Sequence, residues 1–331
     1  MSVRGSDPPS RLKQRVAGPI TWEMGVRLFF ASVVATLVLA APASASTGKC
    51  VAGAGWSPTC TFWTGKVTFV ADGDTIDVDI DGDGTHRARR VRVTGINAME
   101  LRVYSHTPSR RRGDCHGVEA TARMEQMIRR SHWRVRLAAQ DRRSHSNVRL
   151  RQQISVRRHG KWIDAGRIMV AEGHALWLGN PIEWAWNRAY AQATDRAAAN
   201  HLRLFDPQGC GAGPAAQLTM QLNWDAPHND HDNVNGEWAR IRNTGAQPVN
   251  LHGWWFRDSD LRRFAFPAGA VIPAGGAVTL HMGHGTNTRD TFYWGLSTPP
   301  LDNISYDDKA RGDGGYLFDP RGNLRVWVIY H

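Results

Sequence analysis

Alternating apolar and polar side chains mark the first elements. Over residues 75–80, Ile76, Val78 and Ile80 alternate with Asp77 and Asp79, the period of a strand with one buried face. Residues 66–70 before it and 87–93 after it read as strands too, and Asp81-Gly82-Asp83-Gly84 makes the turn between the last two. On the third strand Val91 and Val93 take the inner face, and Arg90 and Arg92 take the other. Residues 101–116 read as a loop. The spacing then lengthens, with Ala120, Met124, Met127 and Ile128 along one side of a helix over 119–130. Residues 132–138 and 149–157 return to strand texture, and 164–172 and 183–202 read as helices. Five strands in a meander interrupted by a helix predict a small, partly open barrel capped by helices.

Beyond this the texture changes. Gly209 to Ala216, with Pro214, reads as a linker between domains spanning 46–208 and 217–331. The second stretch shows short strands at 237–243, 253–257, 277–282 and 325–330. Pro267-Ala268-Gly269 and Pro273-Ala274-Gly275-Gly276 punctuate them. Strands of that length at that interval predict an all-β sandwich. The fold class is therefore an α+β, oligonucleotide-binding-type five-stranded barrel with helices, followed by a β-sandwich.

The chain has 331 residues, enough for two ordinary domains and a leader. Residues 1–45 read as that leader, a signal peptide. Arg4, Arg11, Lys13, Arg15 and Arg27 form a basic region, residues 28–41 an apolar run, and Ala43-Ser44-Ala45 a small-residue cleavage pattern. No later apolar run is long enough to span a bilayer, so a secreted protein without a transmembrane segment is expected. Cys50, Cys60, Cys115 and Cys210 would then pair as two disulfides. Three connectivities are open, and Cys50–Cys60 with Cys115–Cys210 is favoured. None has C-x-x-C spacing, which argues against a zinc site.

Charge divides unevenly. Residues 46–216 carry 26 basic and 16 acidic side chains, mostly arginine on the basic side, whereas residues 217–331 carry 10 and 12. A basic first domain rich in planar guanidinium forks suits a phosphate-bearing polyanion, although a solvated basic surface gives the same count. The second domain, slightly acidic, is a poor candidate for electrostatic nucleic-acid binding.

The candidate chemistry gathers in two short stretches, Ala71-Asp72-Gly73-Asp74-Thr75 and Val91-Arg92-Val93-Thr94-Gly95-Ile96-Asn97-Ala98-Met99-Glu100. The first is a glycine turn offering two carboxylates to a hard cation. The second carries an arginine on a strand and a carboxylate at its end, able to take a proton from water. Each piece alone is more often a turn, a surface acid or a solvated arginine. Together they resemble the thermonuclease, or staphylococcal-nuclease-like, family. Gly117-Val118-Glu119-Ala120, Val170-Ala171-Glu172-Gly173-His174-Ala175, Tyr190-Ala191-Gln192-Ala193 and Leu202-Arg203-Leu204-Phe205 extend the likeness over roughly residues 64–206.

That resemblance implies a calcium-dependent nuclease acting on DNA or RNA with little sequence preference and leaving a 3′-phosphate. Arg92 and Glu100 match its catalytic arginine and glutamate. Asp74, with Asp72 beside it and Asn97 in place of a usual aspartate, matches its Ca2+ ligands. The second catalytic arginine falls on Arg151, with Arg149 as runner-up on the same face. Arg110, Arg111 and Arg112 sit in a loop able to contact the polynucleotide backbone. Two departures bear on the site: Asn97 removes a negative charge, and Met99 replaces a proline, which is expected to loosen the turn aiming Glu100. Asn97 gives weight to an alternative, a non-catalytic nucleic-acid-binding or envelope-associated protein that keeps the barrel.

Other patterns read as structure. Asp77, Asp79 and Asp81 begin like a calcium loop, but Ala88 stands where the closing glutamate belongs. The stretch from His228 to Asn233 reads as a solvated loop. Trp184, Trp186 and Tyr190 are expected to pack in the core rather than stack on bases. In the second domain, the stretches Asn235 to Asn243 and Leu251 to Asp258 resemble the lamin-tail family over roughly 218–330. That implies an immunoglobulin-like sandwich with an accessory role, its ligand an envelope component or a protein.

Overall fold

The computed structural model describes residues 45–101, 114–260, 262–304 and 312–331. The leader and Arg110, Arg111 and Arg112 lie outside the described residues.

The barrel half opens with β1 (Ser46–Lys49), paired antiparallel to the long β2 (Thr59–Val70), and Cys50–Cys60 closes that ribbon. Then come β3 (Thr75–Ile80), β4 (Arg89–Val93), β5 (Ile96–Ala98), α1 (Gly117–Arg130), β6 (Arg134–Ala139), β7 (His145–Ser146) and β8 (Arg149–Arg158). After these follow β9 (Lys161–Asp164), α2 (Ala165–Ala171), β10 (Ala175–Trp177) and α3 (Asn187–Ala199). The strand order β2-β3-β4-β8-β6 returns to β2, which closes a five-stranded barrel. One seam, β4 with β8, is parallel, and the others are antiparallel. Alternation places Ile76, Val78, Val91, Val93, Val135, Leu137, Ile154 and Val156 inside, where they meet Met124 and Ile128 of α1. The expected strands and helices are thus present, with ends matched or shifted by up to four residues, except that β2 begins seven residues earlier than expected, and with the last helix shorter. The two-stranded pairing of β5 with β10 is an addition that local patterning did not signal.

Tyr190 holds this end of the barrel together. Fully buried on α3, it donates a hydrogen bond to Asp164 Oδ1 at 2.7 Å, and Asp164 in turn caps α2 by accepting from the Arg167 amide at 2.9 Å. Its ring lies over Gly95, where a Cβ would come within 2.8 Å and where φ is +77°. Glycine is therefore required at this turn between β4 and β5 both sterically and conformationally. Trp186 is also buried, whereas Trp184 stacks at 5.4 Å on the exposed Trp56. The acids of the calcium-like loop separate: Asp77 pairs with Arg90 at 2.7 Å, and Asp81 pairs with Arg134.

The second half is built of β11 (Leu218–Asn223), β12 (Trp238–Asn243), β13 (Val249–Asn250), β14 (Trp255–Arg257), β15 (Arg263–Ala265), β16 (Val271–Ile272), β17 (Ala277–His281), β18 (Thr291–Tyr293), β19 (Gly314–Phe318) and β20 (Leu324–Ile329). Two four-stranded sheets, β11-β12-β17-β18 and β15-β14-β19-β20, share a core that includes Ile241, Leu280, Trp254, Phe256 and Leu317.

The halves are not loosely tethered. A third core joins Met99, Leu176, Ala197, Ala198, Leu204 and Phe205 of the barrel side to Tyr316, Phe318 and Leu324 of the sandwich. The segment between them is pinned as well. Cys210 is disulfide-bonded to Cys115, its amide donates to Asn323 Oδ1 at 2.8 Å, and Asn323 Nδ2 donates to the Gly211 carbonyl at 2.8 Å.

Candidate active site

Register brings the candidate residues to one end of the barrel. Thr75 lies opposite Arg92 across β3 and β4, and Arg92 lies opposite Arg151 across the parallel seam. The turn from Asp72 to Asp74 folds against this edge. A Cβ at Gly73 would fall 2.7 Å from Ala98 Cβ and 2.8 Å from Ala120 Cβ, so the glycine lets the turn slot between β5 and α1.

Asp74 is almost fully buried. Its Oδ1 accepts from Arg92 Nη1 and Thr75 Oγ1, both at 2.9 Å, and its Oδ2 accepts from the Ala98 amide at 2.7 Å. Those bonds orient the arginine and bind the turn to the start of the Ala98–Glu100 stretch. Asp72 accepts from the Asp74 amide at 3.0 Å. Burial, then the neighbouring Asp74 charge and the charge of Glu100, push its pKa up to about 7 against the pull of Arg92. A carboxylate raised by burial and by like charge, beside an arginine-lined cleft, is a candidate functional group. Glu100 is half-buried, its charge acts on Asp72, and its carbonyl accepts from the Asp114 amide at 2.8 Å.

Arg149 and Arg151 share a face of β8 but not an environment. Burial, then Arg92, lower the pKa of both guanidiniums. The charges opposing this differ: Asp74, Asp72 and Glu100 for Arg149, but Glu183 and Asp260 for Arg151. The carboxylate cluster is thus within electrostatic reach of Arg149, whereas Arg151 feels Glu183 on the barrel and Asp260 on the sandwich. The count along the sequence favours Arg151 as the partner of Arg92, whereas the surroundings favour Arg149.

Arg92, Arg149 and Arg151 line a cleft of about 470 Å³ with Thr94, Gly95, Ser146, Asn147 and Asn180, and with Asp260 and Arg262 from the sandwich. Sequence reasoning missed the last two. Their separation along the chain left no local signal to find them.

Asn97 and Met99 occupy the contact with that second half. Asn97 Nδ2 donates to the Ser259 carbonyl at 2.7 Å, while Asn97 Oδ1 is buried and has no hydrogen-bond partner among the described residues. Met99 is fully buried in the shared core, its sulfur 3.8 Å from Arg257 Nη1. The turn expected to be loosened by Met99 is instead clamped, by the shared core on one side and by the Ala98–Asp74 bond on the other. Arg257 organises the opposing loop. It donates to the carbonyls of Asp258 at 3.0 Å and Ser259 at 3.1 Å, and to that of Asp260.

Among the described residues, no group of three or more His, Cys, Asp or Glu side chains is arranged to hold a metal ion. Donors for a hard cation among the described residues include the Asp72 and Asp74 carboxylates and Asn97 Oδ1, which has no hydrogen-bond partner among them. Two adjacent carboxylates and an amide oxygen nearby in the chain are the oxygen donors that a cation of this kind takes.

Residues 224–331 match the family model described as Lamin Tail Domain. Comparison with curated proteins finds none that matches the chain. Among the described residues no helix is long and apolar enough to cross a membrane.

Proposed function

We propose that the chain is an exported phosphodiesterase, a nuclease of DNA or RNA, built on an oligonucleotide-binding-type barrel. The observation carrying this reading is the meeting of an arginine-lined cleft with a carboxylate cluster. Arg92, Arg149 and Arg151 line the cleft, and Asp72, Asp74 and Glu100 lie within electrostatic reach of Arg149. Phosphodiester hydrolysis needs both signs of charge: cations for the phosphorane-like transition state, and a carboxylate to take the proton of attacking water. The closed barrel with one parallel seam and a helix between β5 and β6 supports the oligonucleotide-binding reading of the fold. Two disulfides agree with an oxidising compartment.

In this reading Glu100 is the general base, acting on water directly or through a second water. Arg92, held by Asp74, meets the phosphate from one side. We assign the second catalytic position to Arg149 because the carboxylate cluster lies within its electrostatic reach, leaving Arg151 to bind the adjoining phosphate. Asp72, Asp74 and Asn97 Oδ1 would hold Ca2+. The chemistry calcium supplies when bound is neutralisation and orientation of a phosphate oxygen.

One observation favours the alternative, a barrel that binds nucleic acid without cutting it. Both oxygens of Asp74 already accept hydrogen bonds, and the Asn97 amide is committed to Ser259. Cleavage assays separate the two. Purified protein is expected to degrade DNA or RNA with added calcium and to stop on chelation. Glu100→Gln and Arg92→Ala should each lower turnover by about 100-fold or more, the scale expected for loss of one transition-state contact. Arg149→Ala should cost more in kcat than Arg151→Ala. Binding without metal-dependent cleavage would overturn the enzymatic reading.

A further inference from the structure

We infer that the lamin-tail half supplies Arg262 as a phosphate-binding side chain of the barrel's arginine cleft, so that one polynucleotide strand contacts both halves at once. The inference rests on the cleft being the nucleic-acid site proposed above and adds a binding residue that lies outside the barrel.

Arg257, fully buried, gathers the carbonyls of Asp258, Ser259 and Asp260, and the Ser259 amide donates to Asp313 Oδ1 at 3.2 Å. From this braced loop the Ser259 carbonyl accepts from Asn97, one strand end away from Arg92. The shared core around Met99, Tyr316 and Phe318 holds the two halves at that spacing. The loop is therefore a wall of the cleft, set by packing on both sides rather than by a tether.

Charge then decides what the wall does. The described residues lining the cleft include four arginines, Arg92, Arg149, Arg151 and Arg262, against one carboxylate, Asp260. Arg262 is exposed, so its guanidinium reaches the cleft at little desolvation cost. Arg92 is bonded to Asp74, and Arg149 is within electrostatic reach of Asp74, Asp72 and Glu100. Arg151 is within electrostatic reach of Asp260, which lines the cleft together with Arg262 from the sandwich. A strand that places its scissile phosphate at Arg92 and Arg149 has its next phosphates led past Arg151 to Arg262 by the sign of the lining alone. The sandwich as a whole is slightly acidic, but this local guanidinium is what the strand would meet. Asp260 opposes it and limits how tightly the strand is held.

The test uses the full chain, because the two halves share a core. A fluorescently labelled single-stranded DNA 12-mer is titrated in chelator, where cleavage is off, across a salt series. Arg262→Ala is expected to weaken binding about tenfold and to reduce the slope of log K against log salt by about 0.7, one phosphate contact on a single strand. Arg262→Lys should restore most of that slope, and Asp260→Asn should tighten binding. Arg240→Ala removes the same charge from an exposed strand of the same half and should change little. Equal effects of Arg262→Ala and Arg240→Ala, or no effect of Arg262→Ala, would overturn the inference. Binding that depends on Arg262 in a protein that never cleaves would uphold it while sinking the nuclease reading.

Discussion

Asn97 carries two demands in one side chain. Its nitrogen serves the interface by donating to the Ser259 carbonyl, and its oxygen is buried without a partner among the described residues. An aspartate at this position would be the better cation ligand, but it would point a carboxylate oxygen at a carbonyl. Asn97→Asp is accordingly expected to lower stability by about 3 kcal/mol in denaturant titrations without metal. Added calcium should recover more of that loss in the variant than in the parent protein. A variant as stable as the parent would show that the bond to Ser259 holds nothing. Glu237 poses a simpler residue-scale question. It is fully buried, Oε1 has no hydrogen-bond partner among the described residues, and burial followed by the charges of Asp230 and Asp302 pushes its pKa up to about 8. The folded state then keeps a proton that the unfolded state releases near the ordinary glutamate value. This contribution to stability is fully present below about pH 4 and is lost as pH rises through about 8. Glu237→Gln should therefore melt higher than the parent protein at pH 9, and the gap should close toward pH 5. A gap that widens on acidification would contradict this.

At the scale of elements, the turn carrying Asp72 and Asp74 depends on close approach. Gly73→Ala would drive a methyl into Ala98 and Ala120, whose Cβ atoms sit on backbone with no rotamer to yield. A loss of about 1–3 kcal/mol is expected, the usual scale for overpacking, and cleavage should fall further than the lost stability explains. Thermal melts alongside rates below the melting range check both parts. This turn also shows what the sequence makes legible. The alternation Ile76, Val78, Ile80 and the period of Ala120, Met124, Met127 report directly on burial, because each face repeats within a few residues. Asp72, Asp74, Arg92 and Glu100 were readable for a related reason, since the turn and two strands that bring them together are local. The choice between Arg149 and Arg151 was not. They lie on one face, and only the parallel pairing of β8 with β4 and the neighbours at each end tell them apart. Asp260 and Arg262 were beyond reach altogether, because nothing in a local pattern reports a contact such as that between Asn97 and Ser259, 162 residues apart.

At the scale of the molecule, the separation into two domains that composition suggests does not carry over into mechanics. Met99 is fully buried among residues of both halves, and Cys115–Cys210 bonds the residue before His116 to the segment leading into the sandwich. Neither half can open without exposing Phe205 and Leu176 on one side and Tyr316 and Phe318 on the other. Hydrophobic surface of that kind couples the folding of its two sides, since exposing it from either direction carries the same cost. Met99→Ala, which empties part of this core, is expected to cost about 2–5 kcal/mol. In the parent protein, tryptophan fluorescence and far-ultraviolet circular dichroism should report one coincident unfolding transition. In the variant both halves should shift together. Two separated transitions in the parent protein, or a Met99→Ala shift confined to one half, would show that the sandwich is an appendage. A single coupled transition would instead make the lamin-tail half part of the cleft's framework, with every disturbance of the shared core felt at Asn97 and at the arginines beside it.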